Sequence, residues 1–123
     1  MKQLVLIGNS FPLSLARRSV SILPAQLNEL RAKLADGCCI LSFWGHANTL
    51  AAASTAIGHD LTPASERPVL TLSPDGLPML GGHVFHECWI LSPDYAPGFR
   101  PAIGIEVTAD QIQGWQLLHL RWA

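Results

Sequence analysis

His46 is the residue of this sequence whose position is best suited to chemistry. It follows a run of apolar residues, stands next to Gly45, and precedes an alanine-rich segment typical of a helix. Glycine lets the backbone bend sharply, and the first turn of a helix binds phosphate through its free N–H groups and its dipole. A histidine there can contact a phosphodiester or protonate a leaving oxygen. The alternative interpretation of His46 is an ordinary helix-capping residue.

A second polar loop follows the first apolar run of the chain. Gly8, Asn9 and Ser10 come directly after residues 4–7, and Ser14 lies further along the same loop. Ligands of open α/β sheets collect at the carboxyl ends of the strands. Asn9, Ser10 and Ser14 are therefore candidate partners of a nucleotide base or ribose. A polar loop closed by side-chain-to-backbone turns is the alternative.

A third group of reactive side chains comprises His83, His86, Glu87 and Cys88. The spacing of its histidines and cysteine superficially suggests a metal site. In a strand, however, residues three apart point to opposite faces of the sheet, which is poor ligand geometry. We therefore expect no metal site, and no other cofactor.

Buried strands and helices must hold these loops in place. Residues 4–7 are a continuous apolar run, and residues 38–43 are apolar except for Ser42; both segments are predicted to be buried strands. A helix is predicted over residues 47–57, ending at Gly58. A short strand is predicted over residues 19–23. Pro24 is then predicted to open another helix, because its missing N–H is tolerated at a first helical position. That helix buries one face, formed by Leu27, Leu30 and Leu34.

The second half of the chain predicts further strands over residues 69–72 and 78–85, joined by a turn at 73–76. Residues 89–91 are predicted to continue the sheet, and the proline-rich residues 92–101 to form an exposed loop. Residues 108–111 have capping-box spacing, and a last strand is expected over 115–122. This order predicts an α/β domain with a mixed β-sheet and helices packed on it.

Composition indicates one domain, residues 1–123. Apolar residues make up 49% of the chain and charged residues only 14%, against a typical quarter. Sparse charge favours apolar surface hidden between subunits, so we expect a symmetric homodimer. The net charge is −1 and the basic residues are scattered, which argues against binding to long nucleic acid. The sequence shows neither a signal peptide nor an apolar stretch that could span a membrane, and predicts a cytoplasmic protein.

Several short motifs, in their order and spacing, resemble the viral anti-CRISPR ring nucleases, a family with relatives in bacteria and mobile elements. The family has a Ser-x-x-Gly-His-x-x-Thr segment, a helix and a closing glycine. The matching stretches are Asn9-Ser10-Phe11, the segment Ser42 to Thr49, Gly58, Glu66-Arg67, and Arg100 to Gly104 followed by residues 107–112. The resemblance therefore extends over most of the chain.

This resemblance implies a symmetric dimer that encloses cyclic tetra-adenylate, a cyclic oligoadenylate that is the second messenger of type III CRISPR defence. The family cleaves the ring without a metal, by attack of a ribose 2′-hydroxyl on the adjacent phosphorus. By the resemblance, His46 is the general acid and Arg100 holds the phosphate. Gly8, Asn9, Ser10, Ser14, Gly45, Asn48 and Thr49 are the expected substrate-binding residues.

The sequence also departs from the family pattern. Ile103 stands where the family has a glutamate, Pro12 replaces a serine, and about ten additional residues precede Arg100. A missing carboxylate affects catalysis more than binding. Two other hypotheses therefore remain: a module that binds a cyclic nucleotide without cleaving it, and a structural protein that joins a larger complex.

Overall fold

Three parallel strands form one end of the main sheet. The computed structural model describes residues 4–35, 37–63, 68–102 and 104–123. In it β1 (Leu4–Gly8) lies between β3 (Cys39–Ser42) and β7 (Glu87–Tyr95), and is parallel to both. The apolar run predicted as a strand is almost wholly buried, which confirms that prediction. Glu66, Arg67 and Ile103, on which part of the family resemblance depends, lie outside the described residues.

Two antiparallel strands extend this sheet on one side. β8 (Ile112–Trp122) pairs with β7, and β2 (Val20–Ala25) pairs with β8, giving a five-stranded sheet in the order β2-β8-β7-β1-β3. Pro24 lies inside β2, opposite Leu118, so the prediction that it opens a helix is wrong. β2 is one of the two outer strands of the sheet, where the missing N–H of a proline is tolerated.

Both α-helices contribute to one of the two cores. α1 (Leu27–Ala35) buries Leu30 and Leu34. α2 (Ala47–Ile57) buries Ala53 and Ile57. These residues pack in one cluster with Val5, Ile7, Trp44, Leu61, Trp89, Leu91 and Leu117. Gly58 ends α2 in the left-handed conformation, with φ of 74°, as its position after the alanine-rich segment predicts.

A small second sheet contributes to the other core. It consists of β4 (Thr71–Leu72), β5 (Pro78–Leu80) and β6 (His83–Val84). The predicted turn at residues 73–76 is present, with a hydrogen bond from the Gly76 N–H to the Ser73 carbonyl at 2.9 Å. The predicted single strand over residues 78–85 is divided, because Gly81 and Gly82 both have positive φ and reverse the chain. Leu77 and Phe85 pack here with Leu6, Phe43, Cys88, Ile90, Leu120 and Trp122.

The proline-rich segment after residue 91 is a loop only in its second half. Residues 92–95 continue β7 and pair with β8, with Pro93 opposite Trp115, so the predicted loop begins at Ala96. The capping box at Thr108 and Gln111 is confirmed, and the helix that it starts is a short 3₁₀-helix, Ala109–Gln111. In the part of the chain that the structure describes, no helix has the length and apolar character needed to cross a membrane.

Gly8, at the carboxyl end of β1, is buried beneath an aromatic ring. A Cβ atom at this position would lie 2.3 Å from a ring carbon of Phe43. We expect Gly8→Ala to lower the free energy of unfolding by about 1–3 kcal/mol, because Phe43 must move in a packed core. Urea denaturation measures the change. Gly114→Ala is the control, since nothing lies within 4 Å of its Cβ position. Equal stability of the two variants would contradict the prediction.

Candidate functional site

The carboxyl ends of the three parallel strands lie at one edge of the sheet. β1 ends at Gly8 and continues into the loop with Asn9 and Ser10, and β3 ends at Ser42, shortly before His46. β7 ends at the same edge and leads into residues 96–107, which include Arg100. Three segments that the sequence separates widely therefore start from one edge, as expected for a ligand site of an α/β sheet.

The turn between β3 and α2 is held from inside by Trp44. The indole Nε1–H of Trp44 donates to the His46 carbonyl at 2.9 Å and also lies 3.2 Å from the Thr49 hydroxyl. The Thr49 hydroxyl donates to the same carbonyl at 3.1 Å, and its side chain is buried. Trp44 and Thr49 thus fix the backbone of His46. Contact between Thr49 and a ligand remains a prediction.

His46 occupies the N-cap position of α2 and is exposed. Its backbone is extended, with φ of −110° and ψ of 90°, and its side chain makes no capping hydrogen bond. The backbone N–H groups of His46, Ala47 and Asn48 donate to no acceptor among the described residues. These N–H groups and the imidazole can therefore all serve a ligand. They match the usual requirement for binding an anion at a helix N-terminus.

Asn9 connects the loop after β1 to this turn. Its side-chain carbonyl oxygen accepts a hydrogen bond from the Gly45 N–H at 2.8 Å. The carbonyl of Asn9 in turn lies 3.4 Å from the Ser92 hydroxyl, which donates to it. Asn9 is half-buried and holds the Gly45-His46 pair against the end of the sheet. This hydrogen bond gives Asn9 a positioning function beside the binding function that its sequence predicts.

An open cleft of about 390 Å³ lies at the start of α2. One side of the cleft is formed by the turn between β3 and α2 and by the first residues of α2. The other side is formed by the segment after β7. The lining residues are Gly45, His46, Ala47, Asn48, Gly104 and Glu106. Three predicted site residues, Gly45, His46 and Asn48, are thus brought together in one cleft.

A backbone hydrogen bond joins the two sides of this cleft. The Val107 N–H donates to the Asn48 carbonyl at 2.7 Å, and the Val107 side chain is 2% exposed. Gly104 has φ of 79°, which a residue with a side chain rarely adopts, so the chain can turn sharply here. Sequence reasoning missed Glu106, because no local pattern distinguishes it from a surface carboxylate.

The other predicted site residues lie outside this cleft. Ser10 and Ser14 are exposed in the loop after β1, and Gly8 is buried under Phe43. Arg100 is exposed in the segment after β7 and is not among the described residues that line the cleft. A ligand larger than the cleft would have to extend towards these residues to contact them, so their roles stay predictions.

The cluster at the start of β7 forms a separate polar group. Glu87 pairs with Lys33 Nζ at 2.8 Å and with His119 Nε2 at 3.2 Å, and His119 stacks on Trp89. Burial acts to raise the pKa of Glu87, but Lys33 and His119 outweigh it and lower that pKa below its usual range.

Among the described residues, this cluster provides neither a set of metal ligands nor a reactive thiol. Burial, with a contribution from the Glu87 charge, raises the pKa of the Cys88 thiol to about 12, so it is not a nucleophile. Within the described ranges, no group of three or more histidine, cysteine or acidic side chains could hold a metal ion.

The fold and this edge cleft define a small single-domain α/β protein with a mixed five-stranded sheet and a cleft at a helix N-terminus. Among solved structures, the chain is similar to B116 of Sulfolobus turreted icosahedral virus. The TM-score is 0.57 at 14% sequence identity, and the match covers 98% of this chain and 99% of B116. At this identity the likeness shows a shared fold, here with a viral protein. No family model and no curated protein matches the sequence.

Proposed function

We propose that this protein binds a cyclic oligoadenylate in the cleft at the start of α2 and cleaves one of its phosphodiester bonds. The observation that carries the proposal is the placement of His46. Its imidazole is exposed at the N-cap of α2, free of any capping bond, and lines the same cleft as the helix N-terminus. The site therefore combines groups that bind a phosphate with one that can transfer a proton to it.

Two further observations support this substrate class. The motifs around Asn9, His46 and Arg100 resemble those of the ring nucleases, and the structure brings Asn9 and the turn before His46 into direct contact. The whole chain also shares its fold with a viral protein. Neither observation alone specifies a nucleotide, but together they favour this family's ligand over other phosphodiesters.

The proposed reaction uses a nucleophile that belongs to the substrate. A ribose 2′-hydroxyl attacks the adjacent phosphorus, and the bond from phosphorus to the 5′-oxygen breaks. His46 donates a proton to that oxygen as it leaves, and the product is linear with a 2′,3′-cyclic phosphate. Because the ribose supplies the attacking oxygen, no metal-activated water is required, and cleavage in EDTA is expected at the rate seen without it.

Product analysis tests this proposal directly. The protein is incubated with cyclic tri-, tetra- and hexa-adenylate in EDTA, and linear products are resolved by chromatography. Linear fragments that end in a 2′,3′-cyclic phosphate support the proposal, and cleavage of the tetra-adenylate ring should be fastest. Activity that disappears in EDTA and returns with one divalent metal would overturn the metal-independent reaction.

The second candidate function is binding without cleavage. It is favoured by the position of Arg100, which does not line the cleft although the family uses this arginine at the phosphate. In this case the protein sequesters or senses the ring. Calorimetry would then show tight binding of a cyclic adenylate that is recovered intact after prolonged incubation.

We further propose that the protein acts as a symmetric dimer. Ile22 and Leu118 are 45% and 36% exposed and lie on the same face of β2 and β8, together with the exposed Pro24. A ring with rotational symmetry can make the same contacts with each subunit of such a dimer. Sedimentation should give a dimer at micromolar protein, and Ile22→Asp with Leu118→Asp should give a monomer. A monomeric wild type, with and without ring, would refute this.

A further inference from the structure

Glu106 places a carboxylate in the same cleft as His46. The two residues line it from different segments, His46 at the start of α2 and Glu106 after β7. Neither their separation in the sequence nor a local motif predicts this arrangement. Glu106 is also a lining residue of a smaller groove along α2, formed with Ala51, Ala52 and Thr55. Its side chain is therefore located at the junction of the helix with the segment after β7.

The backbone that follows Glu106 is fixed against α2. Val107 is buried and donates to the Asn48 carbonyl at 2.7 Å. The next N–H, that of Thr108, donates to the side-chain oxygen of Gln111 at 3.0 Å within the capping box. Two successive residues after Glu106 are thus held by hydrogen bonds. This anchoring keeps the carboxylate at the first turn of α2.

A negative charge in this place is unfavourable for binding a phosphodiester. Glu106 is exposed, and the ion pairs found among the described residues involve Glu87 only, so no cation there neutralises Glu106. Like charges at close range repel, and this repulsion weakens affinity for an anionic ring. The Glu106 carboxylate therefore does not contribute favourably to binding a phosphate.

We propose that Glu106 is the general base of the cleavage reaction. This inference rests on the proposed function, and assigns the second proton transfer of that reaction. The Glu106 carboxylate accepts the proton of the 2′-hydroxyl as the bond from the 2′-oxygen to phosphorus forms. His46 gives its proton to the 5′-oxygen as the bond from phosphorus to that oxygen breaks. One proton is taken up and one is released, so the step balances without a further reactant.

The arrangement fits the geometry of this displacement. The attacking and leaving oxygens lie on opposite sides of the phosphorus, so the base and the acid must reach the phosphate from different directions. His46 and Glu106 enter one cleft from two chain segments, which allows such an approach. Glu106 also supplies a carboxylate that Ile103 cannot, from a position three residues further along the chain.

Removal of the Glu106 carboxylate should lower turnover without weakening affinity for the ring. Glu106→Gln keeps the size of the side chain, and we expect turnover of cyclic tetra-adenylate to fall by about 10²–10⁴-fold, the usual contribution of a general base. Its affinity for the ring, measured by calorimetry, should be equal to or tighter than that of the wild type, because a repulsive charge is lost. Glu106→Asp should retain more turnover than Glu106→Gln. Glu29→Gln, an exposed carboxylate in the first turn of α1, is the matched control.

Chemical rescue tests whether the carboxylate itself takes part. Added formate should restore part of the turnover of Glu106→Ala, and should not restore that of His46→Ala. Glu106→Gln that cleaves at the wild-type rate would overturn the assignment while leaving the proposed function intact. A loss of affinity as large as the loss of turnover, without rescue by formate, would overturn it in favour of a structural role. A wild-type protein that binds the ring and never cleaves it would overturn both.

Discussion

His46→Ala is expected to lower the rate of ring cleavage by about 10²–10⁴-fold, the usual contribution of a positioned general acid. The 5′-oxygen leaves poorly unless it is protonated, so the loss acts on the step that breaks the bond. Single-turnover kinetics with cyclic tetra-adenylate measure this step. Affinity should change little, because the N–H groups of Ala47 and Asn48 and the Asn9–Gly45 hydrogen bond remain in place.

His59→Ala is the matched control for this variant. His59 follows the other end of the same helix, and its N–H donates to the Ser54 carbonyl at 3.2 Å. The substitution therefore removes an imidazole beyond the end of α2 and leaves the residues that line the cleft unchanged, so turnover should equal that of the wild type. Cleavage by His46→Ala at the wild-type rate would reject the proposed mechanism. Equal binding without cleavage by the wild type and by His46→Ala would establish the sequestering function instead.

Arg100→Ala is expected to weaken affinity for cyclic tetra-adenylate by about 10–100-fold. A hydrogen bond to a charged phosphate is typically worth about 1.5–3 kcal/mol, which corresponds to a change of that size. Arg100 is exposed in the segment after β7, near the cleft residues Gly104 and Glu106 in the chain. A ring that extends beyond the cleft would bring a phosphate to the guanidinium. Calorimetry with an uncleaved analogue measures the affinity without interference from turnover.

The control for Arg100 is an arginine at the opposite edge of the sheet. Arg121 is exposed and pairs in register with Glu87 at the start of β7, whereas the segment containing Arg100 follows the end of that strand. Arg121→Ala should leave affinity unchanged. Unchanged affinity in both variants would mean that the resemblance across residues 100–104 is wrong, and that the phosphate is held by the start of α2 alone.

Local sequence was sufficient to predict the elements that carry the site. The apolar run of β1, the helix over residues 47–57 and its end at Gly58 follow from periodicity and from the backbone freedom of glycine. The capping box at Thr108 was equally local. These features depend on contacts between residues close in sequence, so each can be predicted from its own segment alone.

Two predictions based on proline were wrong, because the place of a strand in the sheet decides whether that strand can contain a proline. Pro24 lies in an outer strand and Pro93 lies opposite Trp115 near the end of β7. Each is compatible with a strand only because of its place in the finished sheet. The order of strands is a property of the whole chain, so a proline by itself indicated a helix start in one case and a loop in the other.

Only the part of the candidate site that lies within one short segment could be predicted from the sequence. His46, Gly45 and Asn48 are sequence neighbours, and one pattern identified all three. Glu106 lies in the cleft because the next residue, Val107, forms a backbone hydrogen bond with Asn48, which is far away in the sequence. Such a contact depends on the tertiary fold, and the residue before it has no distinguishing pattern.

Pro24 also limits how two copies of this protein could assemble. An outer strand with free N–H and carbonyl groups can add a strand from another molecule, which leads to sheets that continue through both subunits or to aggregation. Pro24 has no N–H to contribute to such a pairing, and it lies within β2, at one end of the sheet order. Subunits that associate through Ile22 and Leu118 would therefore stack face against face and keep two separate sheets. Extension of the β2 edge of each subunit by a strand from the other is disfavoured, and β3 remains the other outer strand of each sheet.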